Sequence, residues 1–122
     1  GDIAKRIKFT IQMDDAQVHI DTALAMGHIL TELVSNILQH AFPENRTGEV
    51  LIRLASTQEG VLLEVEDNGV GLPSGTTLED IAGTGLEIVQ GYVYREIRGK
   101  LTYESSQGLR LQILIPSTPP QS

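Results

Sequence analysis

Cysteine and tryptophan are absent, and the 122 residues include only two phenylalanines and three tyrosines. Without cysteine there is no disulfide scaffold, no thiolate zinc site and no cysteine nucleophile. So few aromatics leave little for a base-stacking nucleic-acid platform. Positive charge is also scarce: nine Lys and Arg stand against 16 Asp and Glu, a formal net charge of -7. That balance disfavours generic binding to nucleic acid or to an anionic membrane surface. It leaves room for a small anionic ligand held by backbone N–H groups and a metal ion. No segment reaches the ~18 apolar residues needed to span a bilayer, and no charged-then-apolar leader opens the chain. A cytoplasmic setting without direct membrane contact is the expectation.

What remains is an ordinary globular composition, 40% apolar and 20% charged, in a length that suits one domain. Residues 1–116 read as that domain and 117–122, rich in Pro and Ser, as a tail. Lys5 to Met13 alternates polar and apolar residues and predicts a strand. Val18-His-Ile20 reads as a short strand. Asp21 or Thr22 then caps a long helix running to about Ala41, with Ala23, Met26, Leu30, Leu33, Val34 and Ile37 recurring at threes and fours. Glu49–Ala55 and Val61–Glu66 read as antiparallel neighbours around Gly60. After a Gly-rich stretch, Thr84 caps a second helix that Gly99 ends. Lys100–Ser105 and Leu109–Ile115 predict a closing hairpin. The order implies an α+β two-layer sandwich, with helices on one face of a mixed, mainly antiparallel sheet.

Three segments carry residues suited to chemistry. Glu32, Asn36 and His40 are spaced four apart and share one face of the long helix. A carboxylate, an amide oxygen and an imidazole in a row suit a hydrated Mg²⁺ beside a phosphate, since Mg²⁺ takes oxygen ligands and keeps several waters. The same pattern also suits a solvated helix face. Glu66-Asp67-Asn68-Gly69-Val70-Gly71 places a carboxylate at a strand end, able to accept a hydrogen bond from an exocyclic amine, with glycines that let backbone approach a planar ring. Asn-Gly is equally a hairpin signal, although no strand follows within three residues. Gly83-Thr84-Gly85-Leu86 opens a helix on a Gly-rich approach, which suits an anion or simply a turn with an N-cap. Neither a dinucleotide fingerprint nor a Walker A loop fits: Ile88 stands where a third glycine belongs, and Leu101 follows Gly99-Lys100.

In this order, the segments resemble the GHKL ATPases, a family of gyrase, heat-shock chaperone, histidine kinase and mismatch-repair ATPases. Glu32-Leu-Val-Ser-Asn36-Ile-Leu-Gln-His40-Ala-Phe-Pro43 is similar to their N box, Asp67-Asn-Gly-Val-Gly71 to the first glycine box, and Gly83-Thr-Gly85-Leu-Glu-Ile-Val89 to the second. The His-Ala-Phe-Pro ending and the short span between the glycine boxes are most similar to bacterial sensor histidine kinases. The resemblance implies a Bergerat fold that binds Mg-ATP between its two helices. It assigns Mg²⁺ ligation to Asn36, water positioning to Glu32, and a place near the phosphates to His40. It assigns the adenine amine to Asp67 and the adenine pocket to Gly69 and Gly71. Leu72–Ala82 becomes the ATP lid, and Gly83, Thr84, Gly85 and Leu86 present N–H groups to the phosphates.

The implied activity is transfer of the γ-phosphoryl group to a histidine, then on to a response regulator. His19, His28 and His40 all lie inside the ATP module, so the acceptor is expected on a separate dimerisation domain, leaving this domain monomeric. Two departures from the family pattern stand out. The span Leu72–Ala82 has no Lys or Arg, and the final strand opens with Gly108-Leu109 in place of Gly-Thr. An anti-sigma-factor serine kinase of the same superfamily and a non-catalytic nucleotide-sensing module are the alternative readings.

Overall fold

The structure is a computed structural model and describes residues 5–78, 80 and 84–117. Strand β1 (Ile7–Met13) leads into helix α1 (Ile20–His40), then β2 (Gly48–Thr57) and β3 (Gly60–Asp67). Helix α2 (Thr84–Gly91) continues as a π-helical turn (Tyr92–Ile97), and β4 (Lys100–Ser106) and β5 (Gly108–Pro116) close the chain. The expected α+β architecture is what forms. The five strands lie in the order β1-β2-β3-β5-β4, with β1 parallel to β2 and every other pair antiparallel.

Alternation along the central strands sends one side chain set to each face. Val61, Leu63 and Val65 of β3, with Leu111, Ile113 and Ile115 of β5, form the buried set on the helix side. Helix α1 meets that core with Ala25, Ile29, Leu33 and Ile37, one residue per turn. Leu86, Val89, Val93 and Ile97 bring α2 and its π turn onto the same core. The other sheet face is mixed, with half-buried Leu51, Leu62 and Leu114 among polar side chains. There Glu64, only 6% exposed, lies 3.4 Å from Arg53 Nε and accepts from Gln112 Nε2 at 2.7 Å. Edge strand β1 is less covered. Register sets Phe9, Ile11 and Met13 opposite Val50, Ile52 and Leu54, yet all three remain exposed. Among the described residues no helix is long and apolar enough to cross a membrane.

Four local expectations need correction. Of the six residues expected on the buried face of α1, only Leu33 and Ile37 are buried; Met26, Leu30 and Val34 are half-buried, Ala23 is exposed, and Ala25 and Ile29 complete the stripe. Val18-His-Ile20 is not a strand: His19 is the extended residue before α1, and Ile20 is already its first helical residue. The helix therefore starts ahead of Asp21 and Thr22, with no side-chain cap; Asp21 instead sits in the first turn, where a carboxylate favours the helix dipole. The π turn after α2 closes at Ile97 with Arg98 as the left-handed residue, φ 58°, one position ahead of the Gly99 expected to end the helix. The Gly99 N–H then closes the turn onto the Val93 carbonyl at 2.8 Å.

Candidate functional site

Leu33 and Ile37 are buried, which fixes the rotation of α1 about its axis. Asn36 and His40, on the adjoining stripe, consequently border a cavity of about 350 Å³ between α1 and α2. Leu33, Ile37 and Ala41 form its apolar wall on the α1 side. Asn36 is half-buried and His40 exposed, so the two stand at the rim. Glu32, one turn before Asn36 and half-buried, does not line the cavity among the described residues.

The floor is built on the end of β3. Asp67 is 4% exposed and lines the cavity. Its Oδ1 accepts the Gly69 N–H at 2.8 Å and the Leu109 N–H at 3.4 Å. Burial pushes this carboxyl above its ordinary value of 3.8, while those two N–H donors pull the other way. The next residue braces the strand end. Asn68 Oδ1 accepts from the Glu49 N–H at 2.8 Å, and the Asn68 N–H donates to the Glu49 carbonyl at 3.2 Å. The Val70 N–H then binds the Ala41 carbonyl at 3.0 Å, tying this loop to the end of α1.

Two glycines permit that close path. A Cβ on Gly69 would overlap the Ala41 carbonyl oxygen. Gly71 has φ 70°, and a Cβ there would lie 2.9 Å from Ser105 Oγ. Gly71 lines the cavity, whereas Gly69 acts behind it through its N–H. Leu72, Leu86, Leu109 and Leu111 complete the apolar walls.

Thr84 is the first residue of α2, followed by Gly85, so the helix begins two residues before the cavity-lining Leu86. Gly83 lies outside the described residues, as do positions 79, 81 and 82 of the segment expected to form a lid. Neither Arg46 nor Arg95 borders the cavity. Arg46 Nη2 donates to the Asn68 carbonyl at 3.5 Å, and the Arg95 side chain lies alongside Gly91. Among the described residues no Lys or Arg lines the cavity. There is likewise no cluster of three His, Asp or Glu able to hold a metal. Among the described residues at the rim, Asn36 offers an amide oxygen, a hard ligand suited to an ion that keeps most of its ligands as water or phosphate.

Leu33, Ile37, Ala41, Leu109 and Leu111 are cavity residues that the sequence reading did not mark as such. Their only signal there is apolar periodicity, which a core and a cavity wall share. An apolar slot of this size closing on a buried carboxylate suits a flat ring that presents an amine.

The model of the histidine kinase-, DNA gyrase B-, and HSP90-like ATPases matches residues 21–119. Sensor histidine kinase PdtaS of Mycobacterium tuberculosis is 40% identical over 82 residues, 66% of this chain and 16% of that protein. Blue-light-activated histidine kinase 2 of Erythrobacter litoralis is 33% identical over 88 residues, 71% of this chain and 25% of that protein. The chain thus spans a quarter or less of these relatives. Among solved structures, the histidine kinase domain from the Erythrobacter litoralis EL346 blue-light-activated kinase superposes with a TM-score of 0.83 at 29% identity. That match covers 94% of this chain and 54% of the other. The catalytic domain of histidine kinase ThkA shares the fold, with a TM-score of 0.75 at 24% identity over 96% of this chain and 84% of the other.

Proposed function

This chain belongs to the histidine kinase-, DNA gyrase B- and HSP90-like ATPase family as a histidine kinase catalytic domain, and we propose that it binds Mg-ATP in the cavity between α1 and α2 and transfers the γ-phosphoryl group to a histidine on a separate dimerisation domain. The observation that carries this reading is the buried Asp67 carboxylate at the floor of an apolar slot whose rim holds Asn36 and His40. Ionised Asp67 accepts a hydrogen bond from the adenine amine, and its own two N–H donors keep its oxygen aimed. Gly71 and Leu72 border the ring, with Gly69 supporting Asp67 from behind. The N–H groups of Thr84, Gly85 and Leu86 at the start of α2, together with that of Gly83 before them in sequence, meet the phosphates. His40 adds a polar contact to them.

Asn36 would hold Mg²⁺ through its side-chain oxygen, with Glu32 orienting a water on that ion. When bound, the ion offsets the charge on the triphosphate oxygens. The chain's own contribution to transfer is positioning and electrostatic support. A neutral imidazole nitrogen of the acceptor attacks the γ-phosphorus, the bond to the β–γ bridging oxygen breaks, and ADP leaves. The imidazole is a nucleophile without a strong general base. The phosphoryl group then passes to a response regulator. We place the domain in the cytoplasm and, by itself, as a monomer.

A second reading, a nucleotide-sensing module without transfer, is favoured by the absence of Lys and Arg from the cavity wall among the described residues. Calorimetric titration with Mg-ATP on the unsubstituted domain, Asp67→Asn and Asn36→Ala tests the site. Phosphotransfer to an added histidine-bearing acceptor domain separates the two readings. No binding at millimolar ATP rejects both.

A further inference from the structure

The span from Leu72 to Ala82 has neither Lys nor Arg, so it has no cation of its own to hold it against a triphosphate. Edge strand β4 offers a different attachment. Tyr103 and Ser105 are two residues apart and share one face of that strand. Register sets them opposite Leu111 and Leu109, both of which line the cavity. Each presents a hydroxyl oxygen to the backbone of the spanning segment. Ser105 Oγ accepts from the Leu72 N–H at 2.9 Å, and the Tyr103 hydroxyl accepts from the Leu78 N–H at 3.1 Å.

The two attachment points differ in what they anchor. Leu72 is itself a cavity wall. Leu78 is 1% exposed, so its side chain is already buried in the core when Tyr103 receives its N–H. Between them the chain turns on itself, with the Thr76 N–H donating to the Pro73 carbonyl at 3.0 Å. Residues 72–78 are therefore held at both ends by one strand, across 33 and 25 residues of sequence.

We propose that Tyr103 and Ser105 are positioning residues, a pair of hydroxyl acceptors on β4 that hold residues 72–78 as the outer wall of the nucleotide cavity and set how fast a bound nucleotide leaves. The inference rests on the nucleotide reading above. It predicts that the wall loosens when an acceptor is removed, while the core beneath it stays intact. Tyr103→Phe keeps the ring and deletes only the hydroxyl. Tyr103 is partly solvent-exposed, so the ring's packing is not at stake.

The test uses Tyr103→Phe, Ser105→Ala and the double variant beside the unsubstituted protein. One arm follows amide hydrogen exchange in nucleotide-free protein. The other follows release of methylanthraniloyl-ATP with Mg²⁺ by stopped flow. A neutral hydrogen bond of this class corresponds to roughly three- to tenfold in rate. Tyr103→Phe is expected to speed exchange at the Leu78 amide and analogue release by that factor. Ser105→Ala does the same at the Leu72 amide. The melting midpoint should fall by no more than the few degrees that one such bond implies, and exchange in β3 and β5 should rise by no more than the same factor; a merely structural role would give that small loss of stability without faster analogue release.

Unchanged exchange at Leu78 in Tyr103→Phe overturns the attachment. Faster exchange with unchanged release overturns its role in the site. If the unsubstituted protein binds no analogue, the nucleotide reading fails and the release claim with it. The exchange arm then shows on its own whether β4 holds the segment.

Discussion

At the floor of the cavity Asp67 is 4% exposed, receives two backbone N–H groups, and sits on a strand end that Asn68 extends by two further bonds to Glu49. At the rim, His40 is exposed, Asn36 is half-buried, and no Lys or Arg among the described residues borders the opening. The contrast follows from what each part would contact. A ring amine is a weak, directional donor, and recognising it needs a fixed acceptor shielded from water. A triphosphate is strongly charged and keeps water and a metal ion, so it tolerates a looser surround. On the proposed reading, discrimination would reside in the floor, and charge handling in groups that the rim recruits. The largest test of that division is Asp67→Asn. Losing a charge-assisted bond in a buried site is expected to weaken ATP binding roughly 10- to 100-fold. Stability at neutral pH should hold or rise, because burial opposes the ionised form that the substitution removes. Calorimetry and thermal melting on the same samples check both halves.

The same carboxyl makes the floor sensitive to pH in two opposite ways. Its native value is raised above 3.8, so the folded state holds the proton more tightly than the unfolded chain. Stability from this group is fully present below 3.8 and is lost as pH rises through the raised native value. Affinity for an amine runs the other way, because the amine needs the ionised acceptor. Below the raised value, ATP affinity should fall by up to about tenfold per pH unit. Asp67→Asn, titrated in parallel, removes the effect and leaves only the titration of the ligand itself.

That floor was more legible in the sequence than the rim. Asp67, Gly69 and Gly71 lie within five residues, and the strand before them shows itself by β-rich residues from Val61 to Glu66 after Gly60. Helix α1 was legible as a helix, but only half of its buried stripe was: Leu33 and Ile37 are buried as expected, whereas Ala25 and Ile29 take the places given to Ala23, Met26 and Leu30, because several apolar residues on neighbouring stripes offer the same 3.6 period. What escaped depends on contacts distant in sequence. Leu109 reaches Asp67 across 42 residues, and Tyr103 reaches Leu78 across 25. No local pattern encodes either. The parallel pairing of β1 with β2 is also non-local, since α1 intervenes. At Val18-His-Ile20 local β preference lost to the helix, whose register already includes Ile20. The π turn at Tyr92–Ile97 escaped because an apolar set spaced for an α-helix fits it about as well.

At the rim, the expected effects are smaller. Asn36→Ala removes one metal oxygen from an ion that keeps several other ligands. Affinity for ATP should drop about fivefold with Mg²⁺ present, to the level the unsubstituted protein shows in chelator. Titrations with and without Mg²⁺ make this check. Equal losses in both conditions would place Asn36 on the nucleotide rather than on the metal.

His40→Ala should matter least. An exposed polar group beside a solvated phosphate contributes roughly 0–1 kcal/mol, at most about fivefold in affinity. Salt screens that contribution over about 8 Å at physiological ionic strength, so the difference from the unsubstituted domain should shrink as salt is raised. Asp67→Asn should keep its deficit under the same titration, because the floor is desolvated and its partner bond is short-range. A salt series on the two variants therefore separates floor from rim directly. If His40→Ala instead costs as much as Asp67→Asn and resists salt, His40 is enclosed when nucleotide binds. The rim would then be a closed site in its working state, and the contrast between the two regions would hold only for the nucleotide-free form.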